Sequence, residues 1–511
     1  MLVPDFILRS RDNFGERTAV IFQDEEISYL ELAEKTGRLA GGLKSLGIKP
    51  GEYVAVLMPN HLDFVTAYWA LNFIGAPVVP VNPLLKGPEI KHILNDCKAV
   101  SIITSAVFAA LLQSLKADLP HLRHIIVNGE KAGTDHVDFN ELLAHPVDLT
   151  PPPVNEDDVS ACLFTSGTTG KPKGVMLTHK NLVFDTEMVT KAIGVDHRER
   201  YLGVLPFYHA FAGTVCILAP ACTGASTVIM EQFLPKVTVK NIKQHKVTIF
   251  PAVPAMYAAI LQTTRYASPE DFSSLRMFVS GGSAMPLEMM RTLEKKYGVI
   301  VLEGNGPTET SPISYVNRLE LRKHGSVGPP LPGVQVKIVD ENDMELPLNT
   351  VGEITIKGDN VMKGYLNQPQ ATAESMRNGW FHTGDLGMID EDNYVYIVDR
   401  KKDLIIVGGF NVYPREVEEV LYTHPAVAEA AVVGVPDKMR GEIPKAFIVL
   451  KPEQQVTSRE IINYCRENLA NFKCPRQVEF KDELPKGANG KVLKRELKVD
   501  AQAAGVIKSE F

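Results

Sequence analysis

The residues with the greatest capacity for chemistry are concentrated in Thr165-Ser166-Gly167-Thr168-Thr169-Gly170-Lys171-Pro172-Lys173-Gly174. Three glycines, four hydroxyls and two lysines follow directly on the apolar run Val159–Phe164. A strand running into such a loop gathers backbone N–H groups, small hydroxyls and two cations at one point. Closely spaced N–H groups form an anion nest, and glycine lets the backbone approach a ligand without a Cβ clash. The chemistry suits a polyphosphate, although a flexible surface turn has the same composition. It is not a Walker A loop, because Thr165 stands where that motif needs glycine and Pro172 where it needs Ser or Thr.

Four further clusters could share that ligand. Glu303-Gly304-Asn305-Gly306-Pro307-Thr308-Glu309-Thr310 follows the apolar run Val299–Leu302 and so falls at the carboxyl end of a strand, where open α/β sheets bind ligands. Thr308 there can donate to a phosphate oxygen. Glu309 can hold Mg2+, which takes oxygen ligands and bridges to substrate phosphates; taken alone it is one glutamate among many. Gly379–Asp385 sets a carboxylate on a tight turn, able to accept from the paired hydroxyls of a ribose. The run Asp399-Arg400-Lys401-Lys402-Asp403 reads by default as a solvated linker, and Lys491 closes a glycine-rich basic turn, Leu484–Lys491.

The elements that must position these residues are those of an α/β protein. A chain of 511 residues accommodates roughly three domains or subdomains at ~150 residues each. The formal net charge of −7 gives no basic footprint and excludes a general nucleic-acid binder. Six scattered cysteines without C-x-x-C or metal spacing read as reduced thiols. The first residues are too charged for a secretory leader, and no apolar window is long enough to span a bilayer. The chain is therefore expected to be cytoplasmic. Ser28-Tyr29-Leu30-Glu31 is a capping box ahead of a helix through Leu46. Strands and helices then alternate, which predicts a parallel sheet covered on both faces. Pro151-Pro152-Pro153 marks a linker, and a second unit of the same kind follows, including a helix over Ala210–Pro220. From Ser326 to Ile389 short runs broken by Gly, Pro and Asn predict a small antiparallel barrel-like unit. Beyond Arg400 a compact α+β unit follows, so the expected boundaries are 1–400 and 401–511.

In this order the motifs Thr165–Gly174, Gly281-Gly282-Ser283, Glu303–Thr310, Gly384-Asp385, Asp399–Lys402, Gly408–Pro414 and Leu484–Lys491 resemble the acyl-adenylate-forming superfamily, and its fatty-acyl-CoA synthetases in particular. The resemblance runs from about Arg11 to about Arg495. It implies two half-reactions in one site: a carboxylate attacks the α-phosphate of Mg-ATP to give acyl-adenylate and pyrophosphate, and the thiol of coenzyme A then displaces AMP. By resemblance Thr165, Ser166, Gly167, Thr168, Thr169, Gly170 and Lys173 hold the terminal phosphates, and Thr308 contacts the α-phosphate. Glu309 with Thr168 holds magnesium, and Asp385 and Arg400 bind the ribose. Gly281, Gly282, Ser283, Glu303, Gly304, Asn305 and Gly306 frame adenine and the acyl carboxylate. Lys491 bridges the reacting oxygens during adenylation only.

The family usually has an aromatic residue where Asn305 stands, so this chain must hold adenine partly by other means. The carboxyl-terminal unit resembles a mobile lid with its hinge at Lys402, which brings Gly408, Gly409 and Phe410 to the coenzyme A tunnel. Phe207, Tyr208, His209, Phe211, Ala212, Gly213 and Gly281 fall where the family builds the acyl pocket, with His209 at its gate. That segment has no carboxylate to pair an α-ammonium, which argues against an amino-acid substrate. The expected substrate is a medium- to long-chain fatty acid. The alternatives are an aryl or alicyclic acid, or an acyl-AMP ligase that does not use coenzyme A. Peripheral contact with a membrane and a homodimer are both compatible with this reading.

Overall fold

The computed structural model describes the chain except residues 130–134, 166–171, 263–266, 438, 488–490 and 507–511. Two eight-stranded sheets form the larger part. The first contains Val54–Leu57, Val78–Pro80, Ser101–Ser105 and His124–Asn128 in parallel, and is extended by the antiparallel pair Val159–Thr165 and Lys173–Thr178. The second contains Arg200–Gly203, Ser226–Ile229, Ile249–Ala252, Met277–Ser280 and Ile300–Asn305, again parallel.

The strands are apolar on both faces because both faces are covered. Val54 and Val56 point into the core shared by the two sheets, while Ala55 and Leu57 pack under the outer helices of the first sheet. Leu202, Val228, Phe250 and Phe278 do the same for the second. Side chains alternate along a strand, so a parallel strand buried on both sides reads as a continuous apolar run. The helix Leu62–Phe73 contributes to the shared core and is buried over its whole length, as expected of a helix with no polar face.

The two units are interleaved in a way the order of motifs does not announce. The amino-terminal hairpin Thr18–Phe22/Glu25–Ser28 joins the second sheet through Ile229, whereas the phosphate-loop hairpin belongs to the first. The capping box at Ser28 and Glu31 forms, and the helix Tyr29–Ser45 follows it. The expected helix over Ala210–Pro220 is interrupted: Ala210–Ala212 is α-helical, Gly213–Leu218 is π-helical, and Ala219–Thr223 resumes the α form. Such bulges are frequent at functional sites.

The barrel-like unit is a five-stranded antiparallel sheet. Trp380–Ile389 is its central strand, paired with Gly352–Lys357 and Val395–Arg400. A short strand from this part of the chain, Gly364–Tyr365, pairs with Lys173–Thr178 and becomes an edge of the first large sheet. The smaller carboxyl-terminal domain is built on the long pair Val427–Asp437/Gly441–Leu450 and packs the helices Pro414–Thr423 and Ser458–Asn468 over one core. Among the described residues no helix is long and apolar enough to cross a membrane.

Candidate active site

The phosphate loop is the connection of a hairpin, and its described ends are in register, Thr165 opposite Lys173. Ser166, Gly167, Thr168, Thr169 and Gly170 lie outside the described residues. The Lys173 ammonium sits 5.0 Å from the centre of the Tyr365 ring, a cation–π contact. Tyr365 Oη donates to Glu309 Oε1 at 2.8 Å. Glu309 itself lies in the short 3-10 turn Thr308–Thr310, whose N–H of Thr310 bonds back to the Pro307 carbonyl. The turn follows the strand Ile300–Asn305, so the strand end sets the positions of Thr308 and Glu309.

Asp385 and Arg400 are cross-strand partners on the antiparallel sheet, with Nε 3.3 Å from Oδ1. Burial raises the Asp385 carboxyl above the usual range, against the pull of Arg400 and Lys491. Lys491 meets them from the far end of the chain. Burial, and then Arg400, push its ammonium down to about 8, while Asp385 and Glu309 act the other way. Lys402 is also lowered, by burial and by Arg400. Five groups on four segments, Glu309, Asp385, Arg400 with Lys402, and Lys491, thus share one field.

Lys491 also helps to line a narrow cavity with Leu205, Pro206, His209, Phe211, Ala212, Val253 and Gly282. His209 caps the following helix, its Nδ1 accepting from the Phe211 N–H at 3.3 Å. Burial, with Lys491 nearby, lowers its pKa to about 4, so the ring is neutral at neutral pH. Not every expected pocket residue lines this cavity. Phe207 is a core residue: it packs against Phe64, and its N–H donates to Asn60 Oδ1 at 2.8 Å. It lies within the turn that the His209 N–H closes on the Pro206 carbonyl, and it does not line the cavity. Tyr208 is half-buried, its hydroxyl raised to about 12 by desolvation. Gly213 opens the π-helical segment without facing the cavity. Gly281 backs the cavity through Phe211, since a Cβ there would meet that ring at 3.0 Å.

Gly282 takes φ +78°, a conformation suited to glycine, and Ser283 follows it. Glu303 braces this loop: its Oε1 accepts from the Met285 N–H at 3.2 Å. Burial pushes the Glu303 carboxyl up to about 7, with Arg415 of the smaller domain opposing the shift. Asn305 pairs with Tyr315, and its buried Oδ1 has no hydrogen-bond partner among the described residues. Gly304 and Gly306 are close-packed, and a Cβ on Gly306 would overlap the Pro312 carbonyl. Gly408 and Gly409, at φ +58° and +87°, form the tip of the hairpin Ile405–Val407/Phe410–Val412. Phe410 is exposed beyond it and packs at a tilt against Phe472, ring centres 4.9 Å apart. None of these three lines the cavity that Lys491 enters. Sequence reasoning missed Tyr365, Val253 and Arg415, which carry no spacing signal and reach the site only through sheet pairing and domain packing.

Comparison with known proteins agrees with this geometry. Residues 8–366 match the model of the AMP-binding enzyme family, and residues 416–491 that of the AMP-binding enzyme C-terminal domain. The chain belongs to this family, the acyl-adenylate-forming superfamily. It is 37% identical to a long-chain-fatty-acid–CoA ligase of Bacillus subtilis, over 96% of this chain and 92% of that one. It is 38% identical to a feruloyl-CoA synthase of Amycolatopsis, over 94% and 95%. Among solved structures, anthranilate CoA ligase AuaEII in complex with anthranoyl-AMP superposes with a TM-score of 0.95 at 31% identity, covering 99% of this chain and 98% of that one. Within its family the protein is therefore an AMP-forming acid–CoA ligase that uses ATP, Mg2+ and coenzyme A.

Proposed function

We propose that the protein activates a medium- to long-chain fatty acid, first to acyl-AMP and then to acyl-CoA. One observation carries this reading: Lys491, held among Asp385, Arg400 and Glu309, opens into a cavity whose other walls are mainly apolar. In the first step the fatty carboxylate oxygen bonds to the α-phosphorus and the bond to pyrophosphate breaks. Charge grows on the phosphoryl oxygens, and preorganised cations lower the barrier. Lys491 meets that charge, Thr308 donates to it, and Lys173 with the glycine-threonine loop holds the departing phosphates. Asp385 and Arg400 hold the ribose.

The magnesium ligands proposed are Glu309 and Thr168. The donor set fits a hard cation: Glu309 presents carboxylate oxygens at a strand end, with its side chain held by a hydrogen bond from Tyr365. When bound, the ion neutralises phosphate charge. In the second step the coenzyme A sulfur bonds to the acyl carbon, the thiol proton is lost and AMP leaves. The proposed lid spans 401–511 and turns about Lys402, withdrawing Lys491 and bringing Gly408, Gly409 and Phe410 to the thiol path. A cytoplasmic location belongs to the same reading, supported by the six free cysteines.

An aryl acid is the second reading. It is favoured by the narrowness of the cavity, where Phe211 lies against Gly281, and by the likeness to the feruloyl and anthranilate enzymes. A panel of fatty, aryl and alicyclic acids, assayed with and without coenzyme A for AMP and pyrophosphate together, tests both. Preference for aryl acids would overturn the fatty-acid assignment. AMP release that does not need coenzyme A would overturn the second half-reaction.

A further inference from the structure

We infer that Tyr365 is a positioning residue for the magnesium carboxylate, coupling Glu309 to the Lys173 end of the phosphate hairpin. Three contacts place it there. Its hydroxyl donates to Glu309 Oε1 at 2.8 Å, its ring carries the Lys173 ammonium at 5.0 Å, and its backbone pairs with Val175 of the hairpin strand. A fourth fixes the short strand itself, the Tyr365 N–H donating to Thr372 Oγ1 at 2.9 Å. One side chain therefore touches both halves of the phosphate site, the cation on the first sheet and the acid at the end of the second.

The physical consequence is directional. A phenol on Oε1 fixes the carboxylate rotamer and leaves Oε2 for a cation. Partners that orient a ligand in this way typically change metal affinity or activity by about 10–100-fold when removed. A phenol carries its proton at neutral pH and so serves as the donor to a carboxylate. The ring–ammonium contact restrains Lys173 while leaving its charge available to a phosphate. No metal-binding pattern predicts a tyrosine in this role, because the phenol does not itself bind the ion.

The inference rests on Glu309 holding the metal, and the experiment separates the two claims. Mn2+ is titrated into full-length protein saturated with α,β-methylene-ATP, and free Mn2+ is followed by electron paramagnetic resonance. Tyr365→Phe keeps the ring and removes the donor. It is expected to weaken Mn2+ binding about tenfold, to raise the Mg2+ concentration needed for half-maximal adenylation by a similar factor, and to leave thioester formation from supplied acyl-adenylate at the wild-type rate. Tyr365→Leu, which also removes the ring, should in addition raise the KM for ATP. Unchanged Mn2+ affinity in Tyr365→Phe, with Glu309→Gln weakened, would overturn the role of Tyr365 alone. Unchanged affinity in Glu309→Gln would overturn the metal assignment on which it rests. Equal loss of both half-reactions in Tyr365→Phe would make the residue a purely structural one and overturn the inference.

Discussion

The depressed pKa of Lys491 makes the first half-reaction sensitive to pH on the alkaline side. In the docked position burial and Arg400 lower the ammonium from 10.5 to about 8. That shift corresponds to about 3 kcal/mol against the charged form, at 1.36 kcal/mol per unit. With a pKa of about 8, the charged fraction is about nine-tenths at pH 7 and about one-tenth at pH 9. If the ammonium is the active form, kcat/KM for ATP in adenylation should fall about tenfold across that interval. The sign also excludes a different cause. Docking lowers the pKa, so raising the pH from 8 towards 10.5 favours the docked, neutral lysine; the loss arises from neutralisation and not from release of the lid. The assay is pyrophosphate release with coenzyme A omitted, which removes the thiol's own titration. Lys491→Arg keeps a cation throughout the range and should be slower but flat. A wild-type profile level to pH 10, or an identical alkaline limb in Lys491→Arg, would refute the reasoning.

Lys491→Ala should lower adenylate formation by about 10²–10³-fold, the usual effect of removing one preorganised charge-stabilising group, yet spare thioester formation from supplied acyl-adenylate. Equal loss of both steps, measured separately, would contradict a lid that alternates. Asp385→Asn removes the carboxylate that pairs Arg400 and should raise the KM for ATP about tenfold, in line with hydrogen bonds to charged groups; steady-state kinetics in ATP reads this directly. Gly409→Ala imposes a side chain at φ +87°, a strain of roughly 1–2 kcal/mol, and is expected to slow the coenzyme A step while pyrophosphate release holds. Phe211→Ala removes the ring packed on Gly281 and should shift the acid panel towards longer chains.

The sequence by itself determined the reaction class and most of the fold. Its apolar runs bounded by glycine and proline set strands that are buried on both faces, and the capping box at Ser28 set a helix start, because both depend on local chemistry. The glycine-threonine run, Glu309, Asp385 and Lys491 were legible because their residue types are unusual in combination and keep a fixed order. Tertiary structure decided what those residues meet. Only sheet pairing brings Tyr365, from the far side of the second sheet's sequence, to an edge of the first, where it joins Lys173 to Glu309. Only the turn closed by the His209 N–H on the Pro206 carbonyl sends Phe207 into the core while Pro206 and His209 face the cavity. Periodicity in one chain segment reports which face is apolar, and contains no record of which distant segment covers it. Nor could sequence place Lys491 against Asp385 and Arg400, since its depressed pKa arises from burial in the assembled fold and from Arg400, about ninety positions away. Burial and charge proximity are properties of the assembled fold, and they set the environment of a lysine that the sequence shows only as part of a basic turn.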